Sequence, residues 1–148
     1  MLSTADPLDA LYRDVVLEHY RKPRNRKPLN HPSASALVQN PLCGDQVRVE
    51  IRLERDRLSE VSVRARGCSI TVAAGSVMTE LVRGCSAQEV RGLMTALRQI
   101  VYGEPAASAL DDRLRAFARV AQLPSRERCA LLPWEGLMQA LESDSSAA

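Results

Sequence analysis

The residues of this chain that carry the most chemistry are its four cysteines, Cys43, Cys68, Cys85 and Cys129. A thiol becomes a nucleophile or a metal ligand only once ionised, so the setting of each decides its use. Cys43 stands in "NPLCGDQV", where Pro41 and Gly44 make a tight, exposed turn and Asp45 follows two residues on. Gly44 is free to take dihedrals that other residues avoid, and a C-G-D unit brings a thiol and a carboxylate close together. Both groups ligate zinc. Cys68 falls where a strand pattern gives way to a helical one. A thiol at a helix N-terminus feels the positive end of the dipole and ionises more easily. Cys129 stands in "LPSRERCALLPW", after a turn or short helix at Pro124 and Ser125. Arg126 and Arg128 ahead of it favour a thiolate.

The tetrapeptide R-G-C-S occurs twice, around Cys68 and around Cys85, but the second copy reads differently. Gly84 suits the left-handed end of one helix. Ser86 and Glu89 form an S-x-x-E capping box for the next, and Cys85 and Val90 occupy its hydrophobic-staple positions. Packing accounts for Cys85. Cys43, Asp45, Cys68 and Cys129 remain, and three thiolates with one carboxylate fill a tetrahedral zinc site. The spacing lacks the paired C-x-x-C of common zinc modules. His19 and His31 are competing donors. His19 lies on the apolar face of a helix and reads as structural, while nothing ties His31, in a loop, to the cysteines.

The elements that must position these groups follow from periodicity. Asp6 and Pro7 start a helix whose face carries Leu8, Leu11, Tyr12, Val15 and His19, and Pro23 ends it. The basic, proline-rich "RKPRNRKPLNHP" then reads either as a solvated loop or as a docking surface for an acidic partner. Ala34–Gln39 gives a weak strand signal. Val47, Val49, Ile51 and Leu53 alternate with charged residues, and after a turn at Arg55–Arg57, Val61, Val63 and Ala65 alternate with Ser62, Arg64 and Arg66. These predict an antiparallel hairpin with one apolar face. From Gly67 the period changes to about 3.6 residues. Helical stripes run from Ile70 to Leu81, from Val90 to Val101 and from Leu110 to Ala121, and Pro133 opens a last helix. The expected fold is α+β: a small three-stranded antiparallel sheet covered on one face by about five helices. It forms a single domain over residues 1–148, with frayed termini at about 1–5 and 143–148.

Bulk composition narrows the function. The chain has 148 residues, 45% hydrophobic and 26% charged, as an ordinary globular protein has. Its formal net charge of +2 is too close to neutral to argue for nucleic acid, and no nucleic-acid partner is expected. No apolar run is long enough to span a bilayer, and "MLSTADPLDALY" lacks the form of a signal peptide, so no membrane partner and a cytoplasmic location are expected. Cysteines there stay as thiols or metal ligands.

At these residues the chain resembles the iron–sulfur cluster assembly family of SufU, IscU and NifU N-terminal domains. "LYRDVVLEHYRKPRN" looks like the family's opening helix and its H-Y-x-x-P-R-N run: His19, Tyr20, Pro23, Arg24 and Asn25. "NPLCGD", "GCSITVAAGSVMTE" and "RERCALLPWEGL" match its three cysteine motifs in order. Two departures from the IscU pattern are similar to SufU: Arg128 stands where IscU-type scaffolds carry a histidine, and the stretch around Leu110–Leu123 is longer by roughly a helix. The small run Ala73-Ala74-Gly75-Ser76 departs slightly from the family's A-S-A-S.

The resemblance implies a zinc protein that takes persulfide sulfur from a pyridoxal-phosphate cysteine desulfurase of the SufS type and passes it to a downstream cluster scaffold or apo-proteins. Cys43 matches the accepting cysteine, and Asp45, Cys68 and Cys129 match the other zinc ligands. Transfer requires Cys43 to be freed at the moment of attack, most simply by exchange against a side chain of the docked desulfurase. Arg126 and Arg128 either steady a thiolate or persulfide charge or are solvated surface cations. The alternatives are a scaffold on which a transient [2Fe–2S] cluster is assembled at the same cysteines, and a structural zinc module that mediates binding.

Overall fold

Alternation of apolar and polar residues sets the sheet. A computed structural model describes residues 7–41, 44–105 and 110–147, so the Asp6 cap and Cys43 lie outside the described residues. Strands β1 (Ala34–Asn40), β2 (Asp45–Glu54) and β3 (Arg57–Arg66) pair antiparallel in the order β1-β2-β3. Val38 stands opposite Val47, Val49 opposite Val63 and Ile51 opposite Val61. These five valines and one isoleucine are buried and share one face. Arg55 and Asp56 close the β2–β3 hairpin with φ of 54° and 63°. Two left-handed residues in succession match the right-handed twist of the flanking strands.

Helices cover the apolar face. Helix α1 is α-helical over Pro7–Leu11, π-helical over Tyr12–Leu17 and α-helical again over Glu18–Arg21. The wider π turn rotates its inward face, so Val16 is buried beside His19 although the regular period left it out. Helix α2 (Ser69–Val82) packs on β3, and α3 (Ala87–Val101) carries the expected capping box between Ser86 and Glu89. Helix α4 opens over Asp112–Arg115 and tightens into a 3₁₀ turn over Ala116–Gln122. At three residues per turn its buried face is Leu114, Phe117 and Val120, and the expected Ala121 is exposed. Helix α5 (Glu127–Ala147) lies over β1 and β2. It starts six residues before Pro133, which is inside the helix and not at its opening as expected. Cys129 to Leu132 are all buried, and that burial outweighs the hydrogen bond a mid-helix proline forfeits.

Two glycines set how close the helices come. A Cβ on Gly136 would stand 2.9 Å from Val49 Cγ2, and one on Gly75 would stand 2.8 Å from Val63 Cγ1. Such overpacking costs about 1–3 kcal/mol, more than the roughly 1 kcal/mol that alanine gains over glycine in a helix.

The connector after α1 is pinned, not loose. Val63 N–H donates to Asn25 O (3.0 Å), Ser62 Oγ donates to Lys27 O (2.6 Å) and Leu29 N–H donates to Glu50 Oε1 (2.9 Å). Asn25 Nδ2 donates to Thr79 Oγ1 at 2.9 Å, and Arg24 N–H donates to Ser76 Oγ at 2.8 Å. Ser76 Oγ lies 2.6 Å from His19 Nδ1 and can donate its own proton there. The residues of the H-Y-x-x-P-R-N run therefore lock α1 and the connector onto α2.

Burial, and after it the charge of Arg24, hold His19 below its ordinary value of 6.5, against the opposing charges of Glu80 and Glu18. Just below that ordinary value the unfolded chain binds the proton more readily than the folded one, so stability falls as pH falls. Denaturant unfolding at about pH 7.5 and about pH 5.5 should show a larger loss on acidification for wild type than for His19→Gln. Equal losses would exclude the assignment.

Candidate metal centre

The β2–β3 register brings the first donor into place. Gln46 pairs with Arg66, so one step further along, Asp45 comes opposite Gly67. Asp45 is only 5% exposed. A Cβ on residue 67 would stand 2.4 Å from Asp45 Oδ1 and 2.5 Å from its Cγ. Only glycine lets the carboxylate in. Gly44, at φ +77°, closes the β1–β2 connection from the other side and donates its N–H to Asn40 O at 2.8 Å.

The second and third donors come from helix starts. Cys68 is the N-cap residue of α2, in extended backbone, as the change of period requires. Cys129 is in the first turn of α5 and is buried. Ligand atoms of Asp45, Cys68 and Cys129 all lie within 4.8 Å of one another. Thr71, fully buried on the first turn of α2, joins two of them: its Oγ1 donates to Asp45 Oδ2 at 2.6 Å and lies 3.5 Å from Cys68 Sγ.

The two thiols behave as a pair. Burial pushes the Cys68 thiol up, but hydrogen bonding at Thr71, at the Cys129 thiol and at the N–H of Ile70 outweighs it and leaves Cys68 below the ordinary thiol value. Burial, and then the neighbouring Cys68, push Cys129 up to about 12. Of the two thiols Cys68 ionises first, and a second ionisation beside it needs a further positive charge. Arg126 supplies part of that charge. It is exposed, and Cys68 first, then Cys129, hold its guanidinium protonated through hydrogen bonds and charge.

Of the residues singled out from sequence, Asp45, Cys68, Cys129 and Arg126 come together here, and Cys43 lies outside the described residues. Arg128 is exposed and its charge acts on Glu135. Cys85 is elsewhere, half-buried against the core, with its Sγ 3.6 Å from Leu81 O. His19 is committed to Ser76, and His31 is exposed at φ 58° in the connector. Among the described residues neither joins the donor cluster. Three site residues escaped sequence reasoning. Gly67 could have been found from the strand register and Thr71 from its place one helical turn after Cys68. Tyr12 gave no such signal: its phenol, on the π turn of α1, is pushed up by burial and then by the charge of Cys68, against the pull of Arg126.

Two thiols and a carboxylate are a borderline-soft donor set suited to zinc, with room in a four-coordinate shell for one more ligand. Residues 11–143 match the family of NifU-like N-terminal domains. The chain is 32% identical over 131 residues to the zinc-dependent sulfurtransferase SufU of Bacillus subtilis, covering 88% of each protein. It is 31% identical over 142 residues to the iron–sulfur cluster assembly scaffold protein IscU of Streptococcus pyogenes, covering 95% of this chain and 88% of that one. The NifU-like N-terminal protein of Brucella abortus shares the fold, with a TM-score of 0.85 at 23% identity over 95% of this chain and 99% of that one.

A methyl group at residue 67 has to displace Asp45. Gly67→Ala should therefore bind zinc roughly 10-fold or more weakly in competition with a chromogenic chelator, while Cys85→Ala binds as wild type does. Unchanged affinity in Gly67→Ala would contradict this arrangement.

Proposed function

This chain belongs to the family of NifU-like N-terminal domains, and from that premise we propose that it is a zinc-dependent sulfur acceptor. It takes persulfide sulfur from a pyridoxal-phosphate cysteine desulfurase of the SufS type and delivers it to iron–sulfur cluster assembly. The observation that carries this reading is the convergence of Asp45, Cys68 and Cys129 within 4.8 Å, in a chain alike over most of its length to a zinc-dependent sulfurtransferase. Cys43, Asp45, Cys68 and Cys129 would hold the ion. Zinc, when bound, supplies the positive charge that keeps neighbouring thiols ionised together.

The chain's own residues then do the following. The Cys43 thiolate attacks the outer sulfur of the desulfurase persulfide. A new S–S bond forms at Cys43, the S–S bond of the enzyme persulfide breaks, and the enzyme cysteine leaves as a thiolate. The product is a persulfide on Cys43, and no oxidant or reductant is consumed. Arg126 offsets the negative charge of the sulfurs, and its exposure puts it where an incoming persulfide anion arrives. The desulfurase docks across α1, the basic connector and the Cys43 turn, where Tyr20 is 47% exposed beside Arg21 and Arg26.

The likeness to a cluster assembly scaffold keeps a second reading in view, in which a [2Fe–2S] cluster is built at the same thiolates. It predicts visible absorption after anaerobic reconstitution and cluster transfer to an apo-protein. The sulfur-acceptor reading is tested by incubating the protein with desulfurase and ³⁵S-labelled cysteine and mapping persulfides by mass spectrometry. Label should appear on Cys43, and Cys43→Ser should carry none while keeping the fold. Label on Cys43→Ser at the wild-type level would overturn the assignment of the acceptor, and a wild-type protein that accepts no label would leave only a structural zinc module.

A further inference from the structure

We infer that Thr71 is a positioning residue of the metal centre, its buried hydroxyl fixing the rotation of the Asp45 carboxylate and tying it to Cys68. The inference rests on the zinc reading above. The torsion that turns an aspartate carboxylate is broad and roughly two-fold, so Asp45 does not orient itself. Its surroundings do so from two sides. Oδ2 accepts the Thr71 hydroxyl at 2.6 Å, and Oδ1 occupies the notch left by the missing side chain of Gly67. Thr71 is on the first turn of α2, three residues after Cys68, and has no exposed surface.

A hydroxyl has one proton. With that proton given to Asp45, Thr71 Oγ1 presents a lone pair to Cys68 Sγ, 3.5 Å away. In the metal-free protein Cys68 S–H can donate to it, giving the chain Cys68 to Thr71 to Asp45. Two donors from different elements, β2 and the start of α2, are thereby set in one mutual orientation before an ion arrives. Loss of an outer partner of this kind costs about 10–100-fold in metal affinity. A hydroxyl that only satisfied a buried polar atom would instead affect folding and leave affinity alone.

Thr71→Val keeps the branched shape without the hydroxyl, Thr71→Ser keeps the hydroxyl without the methyl, and Thr71→Ala removes both without overpacking should the valine variant fail to fold. Zinc affinity is measured by chelator competition, the ligand field by the visible spectrum of the cobalt-substituted protein, and folding by denaturant unfolding of the metal-free protein. Thr71→Val and Thr71→Ala should bind zinc roughly 10–100-fold more weakly, with an altered cobalt spectrum, and Thr71→Ser should bind as wild type. If Thr71 acts through Asp45, Thr71→Val should cost nothing further in an Asp45→Ala background. The inference is overturned by wild-type affinity in both hydroxyl-free variants, by an equal loss in Thr71→Ser, or by the same loss in either background. Wild-type zinc affinity in Asp45→Ala would instead sink the zinc reading itself.

Discussion

The approach of the Asp45 carboxylate to the backbone at Gly67 is the contact on which the site depends. It is possible only because residue 67 has no side chain, and it can occur only if β2 and β3 hold their register to the last pair. A slip of one residue would turn Asp45 to the other face of the sheet. The same point is where β3 gives way to α2, so the strand that admits Asp45 also delivers Cys68. Cys129 arrives from 61 positions further along, on a helix whose first turns are buried. Two thiolates beside a buried carboxylate would be an unfavourable grouping for an unliganded chain. A divalent cation changes the sign of that interaction, which couples metal binding to the joining of the sheet with the last helix.

The rest of the fold keeps these three arrivals in step. Gly75 and Gly136 let α2 and α5 pack closely against the same sheet face. His19, Arg24 and Asn25, which as a motif resemble a signature of function, spend their polar groups on Ser76, Thr79 and Glu80 of α2. Their contribution is to anchor α1 and the connector. The backbone of the basic connector is bonded at Asn25, Lys27 and Leu29 to Val63 and Ser62 of β3 and Glu50 of β2, while Arg26 and Lys27 are exposed. A pinned backbone with exposed cations is a surface suited to recognition.

Much of this was legible in the sequence, for reasons that differ by element. Strands β2 and β3 were legible because their apolar residues alternate toward one buried face, although the connector also buries Ser62 on the other face of β3, and the capping box at Ser86 and Glu89 is local chemistry that needs no tertiary context. The π turn of α1, the 3₁₀ turn of α4 and the interior Pro133 of α5 were not legible, since packing and not propensity sets each of them. At the site, Asp45, Cys68 and Cys129 stood out by residue type. Thr71 did not, because threonine is common in helices and its role appears only when Asp45, 26 positions away in sequence, folds onto it. The two R-G-C-S copies make the same point. One leads into the donor cluster and the other into a cap, and the difference lies in the elements on either side.

The central claim is that three thiolates, those of Cys43, Cys68 and Cys129, and the Asp45 carboxylate form one zinc site. Zinc-edge X-ray absorption on the purified protein reads that shell directly. The account predicts three sulfurs at about 2.3 Å and one oxygen at about 2.0–2.2 Å. A shell of nitrogen and oxygen only, or any sulfur count other than three, would contradict it.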